Sequence, residues 1–293
     1  MLDMGEVITA MVTPFDKNYN VDFESCGKLM DYLINEGTDG ILLSGSTGEC
    51  STLSDEEKLE LFRFAKNNFG DRVKIIAGTG SNDTKHSIEL SKEAERIGVD
   101  CLLIVAPYYN KPSQQGIYRH FEAIAAEVNI PIILYNVPSR TVSNISSKTC
   151  VELSKIDNIC GVKEASGDMR QISEIIRDSE NDFVVYSGND GDTLPVLSLG
   201  GYGIISVASH IICREIKQMI SSFKKGDYTR AAKIHLEMLD IFNGIFIAPN
   251  PVPIKEALNM AGISVGPCRL PLCSMEEKEL ETFREILKKH KII

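Results

Sequence analysis

Lys163 sits in the run Cys160-Gly161-Val162-Lys163-Glu164-Ala165, an apolar segment too short to be an exposed face. A lysine buried there has a desolvated ammonium, and desolvation pulls its pKa toward neutrality. A neutral amine can attack a carbonyl and form a Schiff base. The other reading is a buried ion pair with Glu164 or another carboxylate. If the run is a strand, Lys163 and Glu164 point to opposite faces, which weakens that pairing. Tyr135 ends the aliphatic run Pro131-Ile132-Ile133-Leu134-Tyr135, so its ring is buried and its hydroxyl reaches a rim. A phenol so placed can move a proton to or from a carbinolamine or Schiff-base carbon, or can simply satisfy a backbone carbonyl. Ser46, Thr47, Tyr108 and Tyr109 offer further hydroxyls for a relay. The Gly45–Gly48 turn can aim backbone N–H groups at a carboxylate. Arg140, just beyond Tyr135, can clamp a carboxylate with two parallel hydrogen bonds or pair with a surface acid.

These residues need a frame that brings distant segments together. Short aliphatic and β-branched runs occur at Val7–Thr13, Gly40–Leu43, Val73–Ala77, Cys101–Ala106, Pro131–Asn136, Gly161–Lys163, Phe183–Ser187 and Gly203–Val207. Most are continuous rather than alternating, as in strands covered on both faces. Segments with apolar spacing of three and four lie between them, including Glu56–Asn68, Thr84–Ile97, Gln115–Val128 and Met169–Arg177. Ser54-x-x-Glu57 and Ser274-x-x-Glu277 read as capping boxes at helix starts. Repeated β-α order predicts a parallel sheet, and this many units predicts a closed (β/α)8 TIM barrel over residues 1–225. A doubly wound sheet would want a glycine-rich phosphate turn, and Gly78-Thr79-Gly80-Ser81-Asn82 does not supply one. Three helical segments, near Asp227–Phe242, Val252–Ala261 and Met275–His290, predict a C-terminal three-helix appendage over residues 226–293. Barrel chemistry gathers at the C-terminal ends of the strands. Lys163, Tyr135, Arg140, Ser46, Thr47 and the Ser187-Gly188-Asn189-Asp190 turn all fall there.

Composition narrows the function classes. The chain of 293 residues is 43% hydrophobic and 25% charged, which supports a sizeable core. A net charge of −10 argues against a nucleic-acid surface or a polybasic membrane patch. The eight cysteines are widely spaced and form no CxxC pair, so buried free thiols in a reducing compartment are expected. The uncharged stretch Leu194–Cys213 is interrupted by Pro195, Gly200, Gly201 and Gly203 and reads as helix, turn and strand rather than a membrane span. The first residues carry early acids and no basic leader, so a cytoplasmic protein is expected. His86, His120, His210, His235 and His290 have no ligand spacing, so neither a metal nor another cofactor is expected.

The segments GSTGE, PYYNKPSQQG, YNVPSRT, GVKEASG, YSGND and GIISVAS occur in this order at the ends of strands two, four, five, six, seven and eight, and the tail carries NPVPIKEALN and RLPLC. Together they resemble the dihydrodipicolinate synthase family, within the N-acetylneuraminate lyase superfamily of Schiff-base aldolases, over nearly the whole chain. The resemblance implies that Lys163 captures pyruvate as a Schiff base and that Tyr135 donates and accepts protons. It implies that Ser46 stands where the family has a relay threonine. It implies that Tyr109 belongs to the relay of a neighbouring subunit, and that Thr47 and Ile205 contact pyruvate. Gly188 matches the bend of the pocket wall, and Arg140 the clamp for the second substrate, L-aspartate 4-semialdehyde. Transimination and ring closure would follow condensation, on the route to diaminopimelate and lysine. A homotetramer built from two tight dimers is implied.

Two departures stand out. Serine at position 46 keeps the hydroxyl but loses a methyl, so its rotamer is less fixed; serine there is common in the sialic-acid lyase branch. Lysine-inhibited relatives place a histidine where Lys58 stands and a glutamate where His86 stands. Loss of an acid and gain of a permanent cation predict weak or absent inhibition by lysine, although Glu49, Asn82 and Tyr108 are retained. Other readings are a different 2-oxo-acid aldolase acting on sialic acid or a 2-keto-3-deoxy sugar acid, a pyridoxal-phosphate barrel enzyme, and a catalytically silent binding or regulatory relative. Lys163 on strand six speaks against the second, and intact Lys163, Tyr135 and Arg140 against the third.

Overall fold

The computed structural model describes residues 3–293. Eight parallel strands close into a barrel in sequence order: β1 (Val7–Ala10), β2 (Gly40–Leu43), β3 (Lys74–Gly78), β4 (Cys101–Val105), β5 (Ile132–Asn136), β6 (Ile159–Glu164), β7 (Val184–Ser187) and β8 (Gly203–Ser206), with β8 pairing back to β1. Each strand is covered inside by the barrel core and outside by helices, which is why the sequence runs are continuously apolar. On β5 the alternation is explicit. Ile132 and Leu134 join the outer core under the helices, whereas Ile133 and Tyr135 join the inner cluster with Ile8, Leu42, Tyr186 and Ile205.

The helices begin where side chains can satisfy their free N–H groups. Asp22, Asp83, Ser113 and Asp168 each accept from backbone N–H groups of the first turn. The expected box at Ser54 is present in both directions, with Glu57 reaching back to the Ser54 N–H. The second expected box is displaced. The last helix, Glu277–Lys289, is capped by Glu276 with Glu279 as its reciprocal partner, so Ser274 lies before the helix rather than at its start. Acids at both places satisfy the same donors and suit the positive end of the helix.

The stretch after β7 forms the helix Thr193–Ser198, a glycine turn and β8, and among the described residues no helix is long and apolar enough to cross a membrane. The first tail segment is divided at Met238, which ends Tyr228–Glu237 and begins Leu239–Gly244. Val252–Met260 and Glu277–Lys289 complete the appendage. Its seam with the barrel is charged. Lys255 donates to Glu49 at 2.7 Å and to the Pro267 carbonyl at 2.8 Å, and Glu49 also accepts from the Arg269 N–H at 2.9 Å. The cations of Lys255 and Arg269 both lie 4.3 Å from the centre of the Phe15 ring. The appendage is thereby held over the strand ends, close to the loop that follows β2.

Candidate active site

A cavity of about 320 Å3 opens at the C-terminal ends of the strands, within the range of small-molecule sites. Lys163 and Tyr135 are register partners on adjacent strands and share the inward face. The Lys163 ammonium lies 4.4 Å from the centre of the Tyr135 ring. Lys163 is 5% exposed and forms no hydrogen bond or ion pair among the described residues. Burial lowers its pKa to about 8; Asp190 opposes that shift and Arg140 adds to it. About a tenth of the amine is therefore neutral at pH 7, far more than for an ordinary lysine.

The alternative ion pair with Glu164 does not form. Glu164 points outward, as strand alternation requires, and accepts from Asn136 Nδ2, the Ser166 N–H at 2.7 Å and Gln171 Nε2 at 3.1 Å. Its pKa is raised, chiefly by burial. The same holds for Asp190, whose oxygens accept from Ser206 Oγ and from the Val207 and Ala208 N–H groups. It acts on Lys163 as a charge nearby rather than as a bonded partner. The sequence placed Asp190 at a strand end without assigning it work; its burial under three donors emerges only once β7 and β8 are neighbours.

The remaining expected residues divide. Ser46, Thr47, Tyr135, Arg140, Lys163 and Gly188 all line this cavity. Burial raises the Tyr135 pKa, while Ser46 beside its hydroxyl and the cation of Arg140 oppose that rise. Arg140 sits in the one-turn helix Pro138–Thr141, exposed and without an acid partner among the described residues, so the reading as a surface ion pair falls away. At Gly188 a Cβ would stand 2.7 Å from the Ala165 Cβ and 3.2 Å from the Lys163 Cγ, so the wall can close on the lysine stem only with glycine there.

Two residues fall elsewhere. Ile205 is fully buried in the inner cluster; Val207, just past the end of β8 and packed with the other core cluster, lines the cavity instead. Tyr109 is 88% exposed with φ of 71°, outside the cavity of its own chain. Residues that the sequence did not single out also line the site: Phe242, Asn243, Phe246 and Asn250, all from the appendage. Asn250 opens the NPVPIKEALN segment of the tail, but nothing in the spacing of these four residues ties them to a barrel mouth. A larger cavity, about 590 Å3, lies at the opposite end around Lys155, Asp157 and Cys160, where barrel residues serve stability rather than chemistry.

The residues considered for lysine inhibition are also rearranged. Lys58 and His86 converge on one carboxylate, Asp55, at 3.0 and 2.6 Å. His86 also meets Ser81 Oγ at 3.1 Å. Glu49, counted among the retained acids, is committed to Lys255 and Arg269 and has no free carboxylate to offer a ligand.

Comparison with known proteins agrees with this geometry. The dihydrodipicolinate synthetase family matches residues 3–290. The chain is 51% identical to the 4-hydroxy-tetrahydrodipicolinate synthase of Bacillus velezensis over 95% of this chain and 96% of that one. It is 50% identical to the enzyme of the same name from Bacillus subtilis, over 95% and 96% of the two chains. Among solved structures, the dihydrodipicolinate synthase of Bacillus anthracis superposes with a TM-score of 0.96 at 48% identity, covering 98% of this chain and 99% of that one. The synthase of Cyanidioschyzon merolae, solved with lysine bound, superposes with a TM-score of 0.97 at 42% identity over 99% of each chain. A buried amine beside a phenol, at the mouth of a barrel that matches these enzymes over nearly its full length, places this chain in the dihydrodipicolinate synthetase family.

Proposed function

We propose that this chain condenses pyruvate with L-aspartate 4-semialdehyde, as a 4-hydroxy-tetrahydrodipicolinate synthase, through a Schiff base on Lys163. The observation that carries the reading is a buried lysine without a bonded partner, its pKa lowered to about 8, under a phenol and a free guanidinium. The neutral amine attacks the pyruvate carbonyl carbon, and the carbinolamine loses water to give an iminium. Tyr135 carries the protons of these steps, with Ser46 beside its hydroxyl. Thr47 holds the pyruvate carboxylate. Loss of a methyl proton gives an enamine, whose carbon bonds to the aldehyde carbon while Arg140 clamps the second carboxylate. The amino group of that substrate then displaces Lys163, closing the ring and freeing the enzyme.

Tyr109 completes the relay in a neighbouring subunit. Its high exposure and left-handed backbone fit a side chain held out for a partner copy, and a homotetramer of paired dimers supplies one. No cofactor takes part in this scheme, and the small acidic substrates fit a cytoplasmic biosynthetic enzyme. Borohydride trapping with pyruvate, followed by peptide mass mapping, tests the reading. A reduced adduct on Lys163 that disappears when the aldehyde is supplied is the expected result. An adduct indifferent to that aldehyde would point to another 2-oxo-acid aldolase, and no adduct would remove the mechanism. Mixed oligomers of Tyr109→Phe and Lys163→Ala chains, each inactive alone, should recover activity if the site is shared.

A further inference from the structure

Arg140 is exposed, yet the loop that carries it is pinned. Val142, two residues on, has a φ of 56°, a left-handed conformation that is costly for a β-branched residue and persists only where its surroundings over-determine it. The turn bonds first to itself: the Arg140 and Thr141 N–H groups donate to the Val137 carbonyl, and the Val142 N–H to the Pro138 carbonyl. Among the described residues, the hydrogen bonds that tie this loop to the rest of the barrel run through Asn144 and Ile145. The Ile145 N–H donates to Asn136 Oδ1 at 2.9 Å, Asn136 Nδ2 donates to Asn144 Oδ1 at 2.8 Å, and Asn144 Nδ2 donates to Gln171 Oε1 at 2.8 Å. Gln114 Nε2 donates to the Asn144 carbonyl at 2.8 Å.

The amide nitrogens of Asn136 and Gln171 converge on Glu164 Oε2, at 3.0 and 3.1 Å. Glu164 is 2% exposed, and the Ser166 N–H donates to its other oxygen. A carboxylate can only accept, whereas an amide has one donor end and one acceptor end. Glu164 therefore turns both amide nitrogens toward itself and leaves both amide oxygens facing the loop, where the Ile145 N–H and Asn144 Nδ2 take them.

We propose that Glu164 is a positioning residue for the second substrate: through Asn136, Gln171 and Asn144 it sets the loop that aims Arg140 at the carboxylate of the aldehyde. The inference rests on the proposed function, which gives Arg140 that carboxylate. Lys163 and Tyr135 do not depend on this network. Their strands are joined by the β5–β6 ladder, in which the two are register partners, and by the Ala165 N–H donating to the Asn136 carbonyl at 2.8 Å. The loop also keeps its apolar anchors, the buried Val137 and Ile145, when the polar ones are cut. The network therefore acts on the aldehyde and leaves pyruvate capture alone.

Glu164→Gln keeps the shape of the hub but brings a donor where donors already point. Asn144→Ala cuts the same chain of bonds at an exposed position. Both are assayed in the whole oligomer, alone and combined with Arg140→Met. Steady-state kinetics give kcat and the KM for L-aspartate 4-semialdehyde. Borohydride trapping at pH 9, where Lys163 is mostly neutral, gives pyruvate capture. Each variant should raise the aldehyde KM by about 10-fold and hold kcat and trapping within about twofold. On the Arg140→Met background the same substitutions should change the aldehyde KM by less than about twofold, because the group they position is gone. Losses that add in full to Arg140→Met, or trapping that falls as far as the aldehyde kcat/KM, would overturn the inference, since a general loss of structure predicts both. If Glu164→Gln fails to fold, Asn144→Ala decides, and an unchanged aldehyde KM there would overturn it too. A wild-type protein that traps no pyruvate, or an Arg140→Met chain with an unchanged aldehyde KM, would instead remove the reading beneath it, and the inference with it.

Discussion

Two buried lysines, Lys163 in the barrel mouth and Lys255 at the seam with the appendage, share almost everything but a partner. Both are nearly inaccessible, and both ammonium groups lie over an aromatic ring, at 4.4 Å from Tyr135 and 4.3 Å from Phe15. Burial pulls both pKa values down. Lys255 has a carboxylate at 2.7 Å and a carbonyl at 2.8 Å, so its charge is compensated. Lys163 faces an open cavity, and the nearest acid, Asp190, spends its oxygens on other donors. Burial makes an amine costly to charge; the partner decides whether that cost is offset, as in a structural strut, or left standing, as in a nucleophile.

Replacing each lysine with methionine separates the two cases most sharply. Lys163→Met should abolish condensation and pyruvate trapping, a loss of at least about a thousandfold in kcat. It should also stabilise the fold by about 1–3 kcal/mol at pH 7, read by denaturant titration. The sign follows from the lowered pKa. Between about 8 and the ordinary lysine value the unfolded chain binds more protons, so stability rises with pH across that window, and below it the full cost of the buried charge is present. Lys255→Met should do the reverse. It leaves Glu49 buried without its ion-pair partner, holding only the Arg269 N–H, at a cost of about 3–5 kcal/mol, and Glu49→Gln should be damaging for the mirrored reason. If both lysine variants moved stability in the same direction, the contrast would collapse.

Gly188→Ala is next in size. The added Cβ meets Ala165 and the Lys163 stem, so kcat should fall by about 10- to 100-fold with the protein still folded, measured by steady-state kinetics alongside a thermal melt. The pH dependence of trapping is a finer probe. Its rate should rise through a midpoint near 8 as Lys163 loses its proton. Asp190→Asn should move the midpoint down and Arg140→Met should move it up, because the two charges pull on Lys163 in opposite senses. The smallest expected effect is that of added lysine. With Lys58 and His86 both paired to Asp55 and Glu49 spent on the seam, a lysine titration should leave the rate nearly unchanged; strong inhibition at low lysine would show that these pairs open to bind it.

Much of the frame was legible in advance because it rests on local signals. Continuous apolar runs announce strands covered on both faces, and Ser54 with Glu57 announces a helix start. The inward aim of Lys163 followed from the period of two. The site was legible where its residues stand on strand ends or just after them: Ser46, Thr47, Tyr135, Arg140, Lys163 and Gly188. It was not legible where placement depends on how the chain returns. Ile205 lies within β8 and Val207 just past its end, and only the path of the chain as it leaves the strand decides which of them reaches the cavity.

What this sequence determines by itself is the alternation of elements and the chemical types waiting at strand ends, because both follow from periodicities of a few residues. Tertiary structure decided which acids those cations would meet. Glu164, adjacent to Lys163 in sequence, turned away from it, and Glu49, more than two hundred residues from Lys255, paired with it. It also decided that Asn250 would close on Thr47, since a contact spanning 203 residues is set by the packing of the tail over the barrel and leaves no trace in local spacing.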